Sequence, residues 1–256
     1  MLSDLVSGAL LDASERRELR SLARVEAEAL ARPAAIDALA ALAPRSRVRI
    51  IAEVKRASPS RGALADIPDP AALALSYEAG GASAISVLTE GRKFGGSLAD
   101  LVAVRDAVSL PVLRKDFIAE PYQVFEARAA GADIVLLIVA ALDQVTLASL
   151  FDLARQLGMA ILVEAHSADE VSRALDIGAG LVGVNARNLS TLELDQDLFG
   201  RLVGQIPSGV IRVAESAVKT AADVAHYRED GADIVLVGEA LVTGDPLRTL
   251  ADFLGN

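Results

Sequence analysis

The chain contains no cysteine, which excludes disulfides and thiolate metal ligation. It has two histidines, His166 and His226, and without cysteines they form no recognisable metal-ligand set, so no metal is expected. Basic residues are also short: 25 Lys and Arg stand against 35 Asp and Glu, a formal charge of −10. That balance argues against a general nucleic-acid surface. It leaves room for a small anionic substrate, because a pocket can be locally basic on an acidic protein. The apolar run from Ile134 to Leu142 falls well below the ~20 residues needed to cross a bilayer. The N-terminal MLSDLVSGALLDASERREL has early acids and no basic leading region, so it does not read as a secretory signal. Linkers rich in Gly, Ser or Pro and blocks of like charge are missing too. The expectation is a soluble, cytoplasmic protein that engages neither membrane nor nucleic acid.

What is present is a long, apolar chain: 256 residues, 52% hydrophobic, enough for one sizeable core. A degenerate repeat runs through it, reading AGGASAISVL, AAGADIVLLI, DIGAGLVGVN and EDGADIVLVG. Its glycines, Gly81, Gly131, Gly178 and Gly231, are spaced by 50, 47 and 53 residues. Glycine after a helix accepts the left-handed conformation and stops it. The apolar runs that follow suit parallel strands buried on both faces. Four further runs, VRIIAEV, PVLRK, AILVEA and VIRVAE, alternate with these. Eight strands, each followed by a helix, predict a single (β/α)8 barrel domain over residues 1–256. A doubly wound open sheet is the alternative, since periodicity does not detect a switch in strand order. Residues 1–47 form a helical N-terminal extension, with Asp12 or Ser14 as its expected N-cap and Pro33 near its stop. The extension covers either the floor of the barrel or its mouth.

Positive charge is supplied almost entirely as arginine; Lys55, Lys93, Lys115 and Lys219 are the only lysines. A partly desolvated ammonium can lower its pKa and give up a proton, which arginine does not do. Lys55 and Lys115 sit at the ends of predicted strands, where barrel active sites lie. Reading the other strand ends adds Glu53, Asp116, Phe117, Glu164, Asn185, Arg187, Glu215, Ser216, Gly238 and Glu239. Glu53 and Lys55, two apart, point to the same side. Carboxylates and amines converging on one mouth shift each other's pKa values apart, as acid–base catalysis requires. The turns after the seventh and eighth strands suggest a phosphate site, with Ser216 as a donor and Gly238 allowing close backbone approach. The SPSRG loop from Ser58 to Gly62 is either a lid carrying the cation Arg61 or an ordinary connection.

At these residues the chain resembles the indole-3-glycerol-phosphate synthase family across essentially its whole length. The motifs IIAEVKRASPSRG, RKFGGSLADL, PVLRKDFI, ILVEAH, GVNARNL, RVAES and VLVGEAL follow in family order. The resemblance implies a cofactor-free reaction on a small phosphorylated molecule, 1-(o-carboxyphenylamino)-1-deoxyribulose 5-phosphate. Ring closure, decarboxylation and dehydration would give indole-3-glycerol phosphate. It implies Lys115 as the acid of ring closure, Lys55 as a second acid, Glu53 and Glu164 as carboxylate bases, and Asn185 as an orienting residue. Pro59, Phe94, Phe117 and Leu189 would form an apolar slot, with Ser58 and Arg187 near the substrate carboxylate. Ser216, Ala217, Gly238 and Glu239 would bind phosphate. A monomer is also implied.

Three positions depart from the family pattern. Arg61 stands where Lys is common, Ala217 where Gly is usual, and Glu239 where some relatives carry Ser. If Ala217 needs positive φ, its side chain costs about 1 kcal/mol; Glu239 must turn its carboxylate away from a phosphate. Rival readings are a phosphoribosyl isomerase, a Schiff-base aldolase, and a non-catalytic barrel that binds a phosphorylated ligand.

Overall fold

Each copy of the Gly-Ala repeat ends one helix and starts one strand. The glycines at 81, 131, 178 and 231 adopt φ of 93°, 95°, 80° and 98°, a region that a side chain disfavours. The computed structural model describes residues 1–255; Asn256, the last residue of the expected domain, lies outside them.

Among the described residues the strands are β1 (Arg49–Val54), β2 (Ala84–Leu88), β3 (Val112–Lys115), β4 (Ile134–Ile138), β5 (Ala160–Ala165), β6 (Leu181–Asn185), β7 (Ile211–Glu215) and β8 (Ile234–Val237). All neighbours are parallel, and β1 pairs with both β2 and β8, so the barrel closes. Closure removes the open-sheet alternative. A short antiparallel ribbon, Ala57–Ser58 against Gly62–Ala63, builds the loop after β1.

Alternation along each strand creates two cores. Ile51, Leu113, Leu136, Leu162, Val213 and Leu236 share the barrel interior. Val54, Val87, Val135, Val163, Val184 and Val235 pack outward against the helices. The helices carry explicit start signals. Asp69, Ser97, Asp143, Ser167, Thr220 and Asp245 each accept a backbone N–H in the first turn of the helix they precede.

The N-terminal extension folds as α1 (Leu2–Leu19), α2 (Leu22–Ala31) and α3 (Ala38–Leu42). Asp12 and Ser14 are therefore inside α1 and not its N-cap. The buried stripe Leu5, Ala9 and Ala13 carries the helix through them, and Asp12 faces outward to pair with Arg92. Pro33 does follow a helix end, two residues past Ala31. The extension covers both ends of the barrel. Met1 and Leu5 line the mouth. Ala38 and Leu42 join Leu181, Ile211 and Ile234 at the strand starts, closing the floor.

Candidate active site

The residues that face the barrel axis change from apolar to polar at the carboxyl ends of the strands. Two residues past Ile51, Leu113, Leu162 and Val213 come Glu53, Lys115, Glu164 and Glu215. Lys115 Nζ donates to Glu164 Oε2 at 2.9 Å and lies 3.1 Å from Glu215 Oε2. Asn185 Nδ2 donates to Glu164 Oε1 at 3.1 Å, and Asn185 Oδ1 accepts from Ser216 Oγ at 2.7 Å and from Arg187 N at 3.0 Å. Across the mouth, Lys55 Nζ sits 2.6 Å from Glu53 Oε1, and Ser86 Oγ donates to Glu53 Oε2 at 3.4 Å.

Two glycines make room for this cluster. A Cβ at Gly183 would collide with the Glu215 carboxylate. One at Gly238 would come within 2.6 Å of Glu53 Oε1 and 2.9 Å of Lys55 Nζ.

The shared lysine drives its two carboxylates apart. Burial works to raise the Glu164 pKa, but the charges of Lys115 and His166 and the hydrogen bonds from Lys115 and Asn185 outweigh it and hold the group at about 2. Burial, then the Glu164 charge, pushes Glu215 up to about 8 against the pull of Lys115. Burial also works to lower Lys115, yet Glu164, Glu215 and Glu53 raise it above its ordinary value. The expected easy loss of a proton is therefore not met at Lys115; three surrounding carboxylates hold it as an ammonium.

All the residues expected at the site line one cavity at the mouth. Phe94 and Phe117 face each other with ring centroids 6.1 Å apart. Pro59, Leu189, Ser58 and Arg187 also line the cavity, with Leu136 and Leu236 from the barrel interior. Burial, outweighing the Glu239 charge, lowers the Arg187 pKa. Ser216 and Ala217 both have positive φ, 69° and 58°, so the strain expected at Ala217 is present. Glu239 turns toward Arg61 on the ribbon, whose Nη2 is 3.3 Å from Glu239 Oε1.

Two residues at this cluster had no role in the sequence reading. Glu215 was visible as a strand end, but its partnership with Lys115 depends on β7 lying across the closed barrel from β3. As a sequence signal His166 suggests at most a metal ligand. It packs behind Glu164, with Nε2 3.4 Å from Glu164 Oε1.

A closed parallel barrel with an acid–base cluster at the carboxyl ends of its strands is the architecture of a TIM-barrel enzyme. The family model "Indole-3-glycerol phosphate synthase" matches residues 2–252, and the chain belongs to that family. It is a family of carboxy-lyases of tryptophan biosynthesis. The chain is 71% identical to the indole-3-glycerol phosphate synthase of Leifsonia xyli subsp. xyli, covering 100% of this chain and 98% of that one. It is 57% identical to the enzyme of the same name from Beutenbergia cavernae, over 99% of this chain and 94% of that one. Among solved structures it resembles an N-acetylmannosamine-6-phosphate 2-epimerase from Clostridium perfringens, with TM-score 0.60 and 15% identity, covering 80% of this chain and 91% of the other. That likeness is one of fold. No helix among the described residues is long and apolar enough to cross a membrane.

Proposed function

We propose that the chain converts 1-(o-carboxyphenylamino)-1-deoxyribulose 5-phosphate to indole-3-glycerol phosphate at this mouth. The observation that carries the reading is the Lys115 ammonium held between Glu164 and Glu215 beneath the Phe94–Phe117 slot. The anthranilate ring enters the slot, with Ser58 and Arg187 toward its carboxylate. The phosphate sits against Ser216 and the backbone of Ala217, Gly238 and Glu239. The ring carbon bearing the carboxylate attacks the ketone carbon. Negative charge grows on the ketone oxygen, and Lys115 donates the proton that it needs. Carbon dioxide leaves and aromaticity returns. Lys55 then protonates the departing hydroxide, and a carboxylate, Glu53 or Glu164, takes the proton released as the indole forms. Asn185 holds Glu164 in place.

An ammonium surrounded by carboxylates is a poor Schiff-base nucleophile, which needs a neutral amine; this disfavours the aldolase reading. No metal or organic cofactor enters the chemistry proposed. The enzyme is read as a cytoplasmic monomer that engages no nucleic acid. Incubating the purified protein with the aminodeoxyribulose phosphate tests the reading, by following indole fluorescence and released carbon dioxide. Stoichiometric appearance of both is expected. A folded protein that binds the substrate and releases neither leaves the non-catalytic barrel as the better account.

A further inference from the structure

His166 is a largely buried imidazole, its side chain 12% exposed, that the proposed chemistry does not use. It follows the last residue of β5 and is fixed from its own backbone, whose N–H donates to Glu170 Oε2 at 2.8 Å. Glu170 lies in the first turn of the helix Ala168–Asp176. The ring stands between two carboxylates from different elements, with Nδ1 3.3 Å from Glu170 Oε2 and Nε2 3.4 Å from Glu164 Oε1. The charges facing the ring are Glu164 on β5, Glu170 on the helix and, further off, Glu215 on β7. A neutral ring has one N–H and satisfies one of the two carboxylates, whereas an imidazolium donates to both. Nε2 is buried and lies against Glu164 Oε1 as a charge contact outside hydrogen-bond alignment among the described residues.

We propose that His166 is a positioning residue for Glu164: its imidazolium bridges the Glu164 and Glu170 carboxylates and holds Glu164 as the anion that faces Lys115. The proposal rests on the reaction assigned above. Glu164 Oε2 already accepts from Lys115 and Oε1 from Asn185. The histidine supplies the remaining cation on the Oε1 side, where Lys115 does not reach. Burial works against the charged ring, but the hydrogen bond to Glu170 and the charges of Glu164, Glu170 and Glu215 raise its pKa above the ordinary histidine value. The bridge is therefore present below that raised value and is lost as pH rises through it.

The chain has two histidines, so a histidine-labelled sample gives two ring signals by NMR, and a His166→Asn sample assigns them. The His166 signal is expected to titrate above the free-histidine range, and to move to lower pH in Glu164→Gln and in Glu170→Gln. In turnover, His166→Asn is expected to lower kcat about tenfold at pH 6.5, with KM within twofold. The deficit should vanish as pH rises and the wild type loses its own bridge. Glu170→Gln should fall in between, which keeps the test open if His166→Asn folds poorly. A deficit independent of pH, or a His166 signal unmoved by Glu164→Gln, overturns the proposal. Absence of turnover in the wild type overturns the parent reading instead, and the NMR result still decides whether the bridge exists.

Discussion

Lys115 and its two carboxylates show how one shared cation sorts neighbouring acids. Glu164 gains a hydrogen bond from Asn185 as well as from Lys115, and it ionises early. Glu215 is driven the other way by burial and then by the Glu164 charge, against the pull of Lys115, so it keeps its proton longer. The identities of Glu164 and Lys115 were legible because strand ends in a barrel face one pocket. The sorting was not, because it depends on which oxygens meet, a matter of register between β3, β5 and β7. At Ala217 a left-handed backbone was a condition raised by the resemblance, because Gly is usual there, and the structure holds it at φ 58°. Ala217→Gly is expected to raise stability by about 1 kcal/mol, read as a higher denaturant midpoint at unchanged slope. A lower midpoint would show that the Cβ makes a contact worth more than the strain.

Elements place these residues, and two of them grip the mouth from outside the barrel. The ribbon after β1 carries Arg61, which reaches across to Glu239 beyond β8. Both residues depart from the family pattern, and nothing in their spacing along the chain indicates that they meet. The ion pair is more than half exposed on the arginine side, so it adds little to stability. Its effect falls on the proposed substrate: a carboxylate beside the proposed phosphate site repels a dianion by about 1 kcal/mol at surface screening. Glu239→Ser is therefore expected to lower KM about fivefold with kcat nearly unchanged, and a raised KM would contradict this placement. Helix α1 holds the mouth from the other side. Asp12 pairs with Arg92 near Phe94, and Arg16 pairs with the buried Glu126. Glu126 in turn meets Arg114, which binds Asp116 beside Phe117. The helical character of this extension was legible; its start was not, since Asp12 and Ser14 resemble caps until the apolar stripe Leu5, Ala9 and Ala13 is seen to carry the helix through them. Arg16→Ala should cost about 2 kcal/mol by removing a bidentate, charge-assisted bond from a buried carboxylate. Equilibrium denaturation checks this, and a loss below a few tenths of a kcal/mol would mean that Arg114 alone satisfies Glu126.

At the scale of the whole molecule, the barrel was the most legible feature. Four Gly-Ala stops and eight apolar runs define its strands to within a residue at either end. Closure follows from pairing β1 with β8, which no local pattern encodes. Burying an acid–base cluster inside this fold makes stability depend on pH in two directions. Glu164 is held well below its unfolded value near 4.5, so its contribution is present above that pH and is lost as pH falls toward about 2. Glu215 is raised to about 8, so the native state binds a proton that the unfolded chain has released. Its contribution is present below pH 4.5 and is lost as pH rises to about 8. The stability of Glu215→Gln relative to wild type should therefore increase across that interval, measured by urea denaturation at each pH. A constant difference would mean that Glu215 is ionised in the native state throughout. The central claim is that the Lys115 ammonium is the acid that closes the indole ring. Single-turnover ring closure, followed by indole fluorescence, tests it directly with wild type beside a folded Lys115→Ala. The account predicts a loss of about 10³-fold or more with substrate still bound, and a variant that closes the ring at a rate near that of the wild type would contradict it.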